Sequence, residues 1–136
     1  MLKFHPKKGT VLCCDFSKGF QPPEMVKVRP VVVITPQLPG RPGLCTVVPL
    51  STVKPDPFQP YHHKMDIQSL PPKLQKTACW AKCDMLYTVG LDRLDRIRDK
   101  DSNGKRCYLA GKTTISDIEG IERAVINGLG LRKFLA

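Results

Sequence analysis

The placement of proline constrains this chain more than any other feature. All thirteen prolines fall at or before Pro72, and the 64 residues after it contain none. Proline lacks a backbone N–H and fixes φ, so it breaks helices and central strands. The first half is therefore expected to be short strands joined by stiff loops. A continuous helix is expected only late in the chain.

The runs between the breakers read as β. Thr10–Phe16, Pro30–Thr35, Leu44–Leu50 and the weaker Tyr61–Ile67 are four candidate strands, and Thr77–Val89 is a fifth and the longest. Val31-Val32-Val33-Ile34 is an unbroken β-branched run, which implies burial on both faces. Asn103-Gly104 signals a turn before a short edge strand, Arg106–Leu109. Leu91, Leu94 and Ile97 are three apart, so Asp92–Arg96 is expected to form a helical turn. The last element is a helix, with Ser116 and Glu119 as a capping box and Ile118, Ile121, Val125 and Leu129 at helical spacing. Five or six short strands and one terminal helix give a mainly β (α+β) fold. We expect a small, strongly bent sheet or partial barrel, in one domain over 1–136.

Composition excludes several classes. A 41% hydrophobic content rules out wholesale disorder. No apolar run approaches the roughly 20 residues of a membrane helix, and the start, Met1 to Pro6, lacks the apolar segment of a signal peptide. The six cysteines are expected to be reduced thiols in a cytoplasmic protein, most of them small core residues. No metal or cofactor is expected. Cys13 and Cys14 would point to opposite faces of a strand. Cys79 and Cys83, about 13 Å apart in a strand, are too distant to share one zinc ion.

Twenty-two basic residues against twelve acidic ones give a net charge of +10. Up to Pro55 the chain has eight basic residues and two acidic ones. Such a surface attracts polyanions, either nucleic acid or an acidic protein.

Four places combine polar groups with strand ends. In Pro22–Pro30, Glu24, Lys27 and Arg29 sit on a stiff loop before a buried strand. Arg29 suits a phosphate through its guanidinium fork, or a salt bridge with Glu24. Ser51 and Thr52 close the next strand and could bond a phosphate or ribose, or cap a turn. Trp80, Lys82 and Asp84 would share a strand face, able to stack a base and move a proton, or to form an ion pair beside a core tryptophan. Of the adjacent His62 and His63, at most one can enter a given site.

These segments in this order resemble the MazF/PemK (Kid) family of toxin–antitoxin systems. The resemblance rests on Gly9, Val11, Asp15-Phe16, Glu24, Arg29–Ile34, Val47–Thr52 and Lys82-Cys83-Asp84, and covers Gly9 to about Leu131. It implies an SH3-like, CcdB/MazF-like barrel acting as a homodimer. It also implies a metal-independent endoribonuclease that cuts single-stranded mRNA through the RNA's own 2′-OH and is neutralised by a cognate antitoxin. By the same resemblance, Arg29 would stabilise the phosphorane, Ser51 matches a catalytic threonine with Thr52 beside it, and Asp84 matches a proposed base. Lys82 stands where the PemK branch has arginine, and Glu24 matches an acidic loop position. Lys27, Trp80, His62 and His63 would contact substrate. A CcdB-like gyrase poison and an inactive nucleic-acid binder are the alternatives.

Overall fold

Val31, Val32 and Val33 are completely buried, as the β-branched run demands, because their strand lies in the middle of a curled antiparallel sheet. The computed structural model describes residues 2–135, so Met1 and Ala136 of the expected 1–136 domain lie outside the described residues. The strands are β1 Thr10–Asp15, β2 Val28–Val33, β3 Leu44–Ser51, β4 His62–Lys64, β5 Trp80–Lys82, β6 Tyr87–Gly90, β7 Leu94–Asp95, β8 Ile97–Lys100, β9 Arg106–Leu109 and β10 Gly111–Lys112. The helix α1 spans Ile115–Gly128.

The sheet runs β10-β1-β2-β3-β5-β4, with β6 also on β3 and β7 also on β1. Its curl comes from strands that change partner along their length. Residues Leu44–Val47 of β3 pair with β6, whereas Leu50 and Ser51 pair with β5. Pro49, which has no N–H to give a ladder, falls between the two. The β1 strand is likewise shared between β10 and β7. The result is a half-barrel with one C-terminal helix, the expected fold class, and β8–β9 forms a separate hairpin.

Two apolar layers fill it. Val11, Val32, Val48 and Leu50 pack against Ile121 and Val125 of α1. Leu12, Cys14, Phe16, Val31 and Val47 form the layer on the other side. Fully burying each such side chain is worth about 1.5–3 kcal/mol. Cys13 packs towards the first layer and Cys14 lies in the second, as strand alternation requires. All six cysteines are free thiols and four are buried. Burial pushes the Cys14 and Cys83 thiols up to about 12 and Cys45 to about 11, which makes them inert near neutral pH.

Local structure corrects the sequence reading in four places. The long strand expected over Thr77–Val89 is broken into β5 and β6 by a turn in which the Met85 N–H donates to the Lys82 carbonyl (3.1 Å). That break follows the change of partner on β3. The Tyr61–Ile67 strand shrinks to the three residues of β4. The helical turn expected over Asp92–Arg96 is a 3₁₀ turn at Leu91–Arg93. Helix α1 starts before the expected capping box: Thr114 is the N-cap, and its hydroxyl accepts the Asp117 N–H (3.1 Å). Thr114 is held there because its own N–H donates to the buried Ser69 hydroxyl (2.9 Å). Among the described residues no helix is long and apolar enough to cross a membrane.

Candidate functional site

The register gathers the polar residues on one face. In the β2–β3 ladder Val31 lies opposite Pro49, and Arg29 and Ser51 each lie two residues beyond that last pair, at the same end of the ladder. Ser51 lies opposite Trp80 on β5, and on the β5–β4 ladder Trp80 faces Lys64 and Lys82 faces His62. Opposite residues, and residues two apart, project to the same side of a sheet. Arg29, Ser51, Trp80, Lys82 and His62 therefore share the face turned away from α1. Leu50, Ala81 and His63, one register step along, share the face turned towards it.

Arg29 enters β2 opposite Cys14 and is half-buried. Its Nε is buried with no hydrogen-bond partner, an uncommon condition for a cation and one that an anion would relieve. The Glu24 salt bridge does not form among the described residues, since the Glu24 carboxylate accepts the Gln21 N–H instead (3.2 Å). Lys27 is exposed beside it, and its carbonyl accepts the Phe16 N–H (3.1 Å). Ser51 is buried and its hydroxyl accepts the Val53 N–H (3.1 Å), so it does cap a turn. Its own proton remains available to a phosphate oxygen. Thr52, next along, is exposed.

The loop after Ser51 walls a cavity of about 470 Å³, lined by residues that include Val53, Lys54, Gln59, Tyr61, His62 and Lys82. The His62 ring is fixed here because its Nδ1 accepts the Gln59 N–H (3.0 Å). With Nδ1 accepting, the neutral ring carries its proton on Nε2 and can donate from there. Burial lowers the His62 pKa, the Asp84 carboxylate opposes that shift, and Lys82 adds to it. Both partners are therefore electrostatic neighbours of this ring.

Three expected site residues are placed differently. Asp84 leaves the strand and sits exposed on the β5–β6 turn, so it does not share a strand face with Lys82. The end of α1 seats that turn, because a Cβ at Gly128 would lie 3.2 Å from both the Asp84 Cα and the Cys83 carbonyl. Trp80 is 8% exposed and gives the site a floor instead of an open stacking surface. His63 faces α1, where its Nε2 lies 2.8 Å from the Asp117 carboxylate. Of the adjacent histidines, only His62 lines the cavity. The open aromatic surface comes from residues the sequence reading passed over: Phe58 and Tyr61, whose rings lie 5.8 and 4.6 Å from that of His62. Their signal was the segment Pro57-Phe58-Gln59-Pro60-Tyr61, which holds aromatics between prolines.

Known proteins share this fold. The protein YifN of Escherichia coli (strain K12) is 31% identical over 147 aligned positions, covering 94% of each chain. A mycobacterial endoribonuclease solved in complex with its cognate antitoxin superposes with a TM-score of 0.62 at 22% identity, covering 93% of this chain and 97% of that one. MazF from Deinococcus radiodurans superposes with a TM-score of 0.61 at 16% identity, covering 92% and 96%. The family described as PemK-like, MazF-like toxin of type II toxin-antitoxin system matches residues 7–118. The match runs from β1 to the first turn of α1, and by it this chain belongs to the PemK-like, MazF-like toxins of type II toxin–antitoxin systems.

Proposed function

We propose that this chain is an endoribonuclease that cuts single-stranded RNA by activating the substrate's own 2′-OH. The carrying observation is the buried, unpartnered Arg29 Nε, at the end of the β2–β3 ladder beyond which Ser51 closes β3. Family membership and an endoribonuclease of the same fold support the reading.

In this reaction the 2′-oxygen bonds to the adjacent phosphorus and the bond from phosphorus to the 5′-oxygen breaks. The products are a 2′,3′-cyclic phosphate and a 5′-OH. One proton leaves the 2′-OH and one reaches the 5′-oxygen. The guanidinium of Arg29 offsets the charge that builds on the phosphorane, where fixed donors act most strongly. The Ser51 and Thr52 hydroxyls bond the non-bridging oxygens. The exposed Asp84 carboxylate accepts the 2′-OH proton, and the Arg29 guanidinium gives a proton to the leaving 5′-oxygen. Lys82 and the Nε2–H of His62 hold the phosphate between them, while Phe58 and Tyr61 stack a flanking base. Glu24 and Lys27 line the approach from the loop before β2. No metal takes part in this scheme.

The net charge of +10 suits both RNA and an acidic antitoxin laid over the same face, and we read the working form as a homodimer. The test is to incubate purified protein with RNA in EDTA and to map product ends by mass. Cyclic phosphates that vanish with Arg29→Ala support the reading. Uncut RNA, alongside poisoning of gyrase, overturns it.

A further inference from the structure

A second basic surface lies away from this face. A cavity of about 510 Å³ is lined by Lys73, Lys76, Arg98, Asp99, Lys100 and Arg106, and shares no residue with the cavity around His62. It is built by the β8–β9 hairpin and the short 3₁₀ turn Pro72–Leu74, joined where the Lys73 ammonium donates to the Arg98 carbonyl (3.0 Å). Ile97 of the hairpin is buried in the layer under α1, which anchors the hairpin on that side of the sheet.

Three features of the hairpin point to an anionic strand. Lys100 lies directly opposite Arg106, and Arg98 opposite Tyr108. Like charges opposite each other weaken a strand pair, so this arrangement calls for an anion. Among the described residues none of the five cations makes an ion pair with a carboxylate. The one acid, Asp99, turns back to accept the Lys100 N–H (2.8 Å). Tyr108, 42% exposed, lies beside the Arg98–Lys100–Arg106 group, with the Arg96 guanidinium 5.4 Å from its ring centroid. Cations that track a backbone around an exposed aromatic are what single-stranded nucleic acid uses. An acidic peptide has no need of the ring.

We propose that the β8–β9 hairpin is a second RNA-binding site, which grips the phosphates of the substrate strand beyond the cut and stacks one base on Tyr108. It rests on RNA being the substrate and adds an anchoring site separate from the chemistry. Short RNAs reach the polar face alone, and longer ones engage both surfaces.

The test uses the full chain and a fluorescein-labelled 2′-O-methyl oligouridylate of about 20 nucleotides, which has no 2′-OH to attack and spans more than one binding surface. Anisotropy is measured over a salt series. The triple variant Arg98→Gln/Lys100→Gln/Arg106→Gln should bind at least tenfold more weakly at moderate salt. Each lost phosphate contact lowers the salt slope by about 0.7, so three lower it by about 2. Tyr108→Leu should weaken binding with the slope unchanged. A pentamer of the same chemistry should bind the variants as it binds the wild type. Should the triple variant misfold, Lys100→Gln and Arg106→Gln singly should each lower the slope by about 0.7. Wild-type affinity and slope in the folded variants overturn the proposal, and so does loss of polyglutamate binding with RNA binding intact. Because the probe cannot be cut, a protein that binds through the hairpin yet cleaves no RNA refutes the proposed chemistry and leaves this site standing.

Discussion

Nε2 of His63 and Oδ1 of Asp117 lie 2.8 Å apart and tie β4 to the first turn of α1. The other oxygen of the same carboxylate accepts the Asp66 N–H (2.9 Å) and the Ser69 hydroxyl (2.5 Å). Asp117 is 3% exposed, so all three donors depend on it. Removing it leaves the buried Ser69 hydroxyl without this acceptor and breaks the partly buried contacts to His63 and the Asp66 N–H. Asp117→Ala should cost about 2–4 kcal/mol. Asp117→Asn should recover only part of this, because its amide nitrogen must face donors. Urea unfolding followed by circular dichroism measures both, and a loss below about 0.5 kcal/mol in the alanine variant would be that of an ordinary surface site.

The same histidine makes Gly120 a close-packing position. A Cβ there would stand 2.2 Å from the His63 ring, which the Asp117 contact keeps from swinging away. Alanine in a helix interior gains about 1 kcal/mol over glycine, whereas overpacking costs about 1–3 kcal/mol. Gly120→Ala should therefore be net destabilising. In His63→Ala, where the obstacle is gone, the same substitution should stabilise. A double-mutant cycle with non-zero coupling checks this, and additive effects would contradict the close approach.

His62, on the opposite face, supplies a pH prediction. Burial lowers its pKa below the unfolded value of about 6.5. A lowered histidine pKa means that the unfolded chain binds the proton more readily. The resulting stability is fully present above about pH 6.5 and is lost as pH falls through the folded-state value. NMR titration of the His62 ring should give a midpoint below 6.5, and His62→Gln should flatten stability against pH in that window. A midpoint at or above 6.5 would mean that the ring is more solvated, or closer to Asp84, than the structure has it.

Proline placement and β-branched runs made β1, β2, β3 and the late helix legible, because both act through local sterics. Arg29 and Ser51 were legible as strand-end residues for the same reason. The β5–β6 break was not, since it reflects β3 changing partner around Pro49, a long-range event with no local mark in Thr77–Val89. That break moved Asp84 from strand to turn. Thr114 capping was hidden as well, because Ser69, 45 residues away, selects it over Ser116. Trp80 has the composition of a stacking residue, and only the packing shows that it is covered.

The sharpest separation of function from folding is at Arg29. Its Nε is buried without a partner, so the folded protein carries a desolvation cost there with no internal compensation. Most substitutions at a half-buried arginine destabilise. Here Arg29→Ala removes a buried N–H that has no acceptor, and the melting midpoint should hold or rise. Cleavage should fall about 100-fold to 1,000-fold, the usual effect of losing one donor to a developing oxyanion. Arg29→Lys keeps the charge and lacks the fork, so it should restore binding more than turnover. Thermal melts and initial cleavage rates on one preparation decide the matter. A large drop in stability, with the remaining folded fraction cutting at the wild-type rate, would make Arg29 a structural residue.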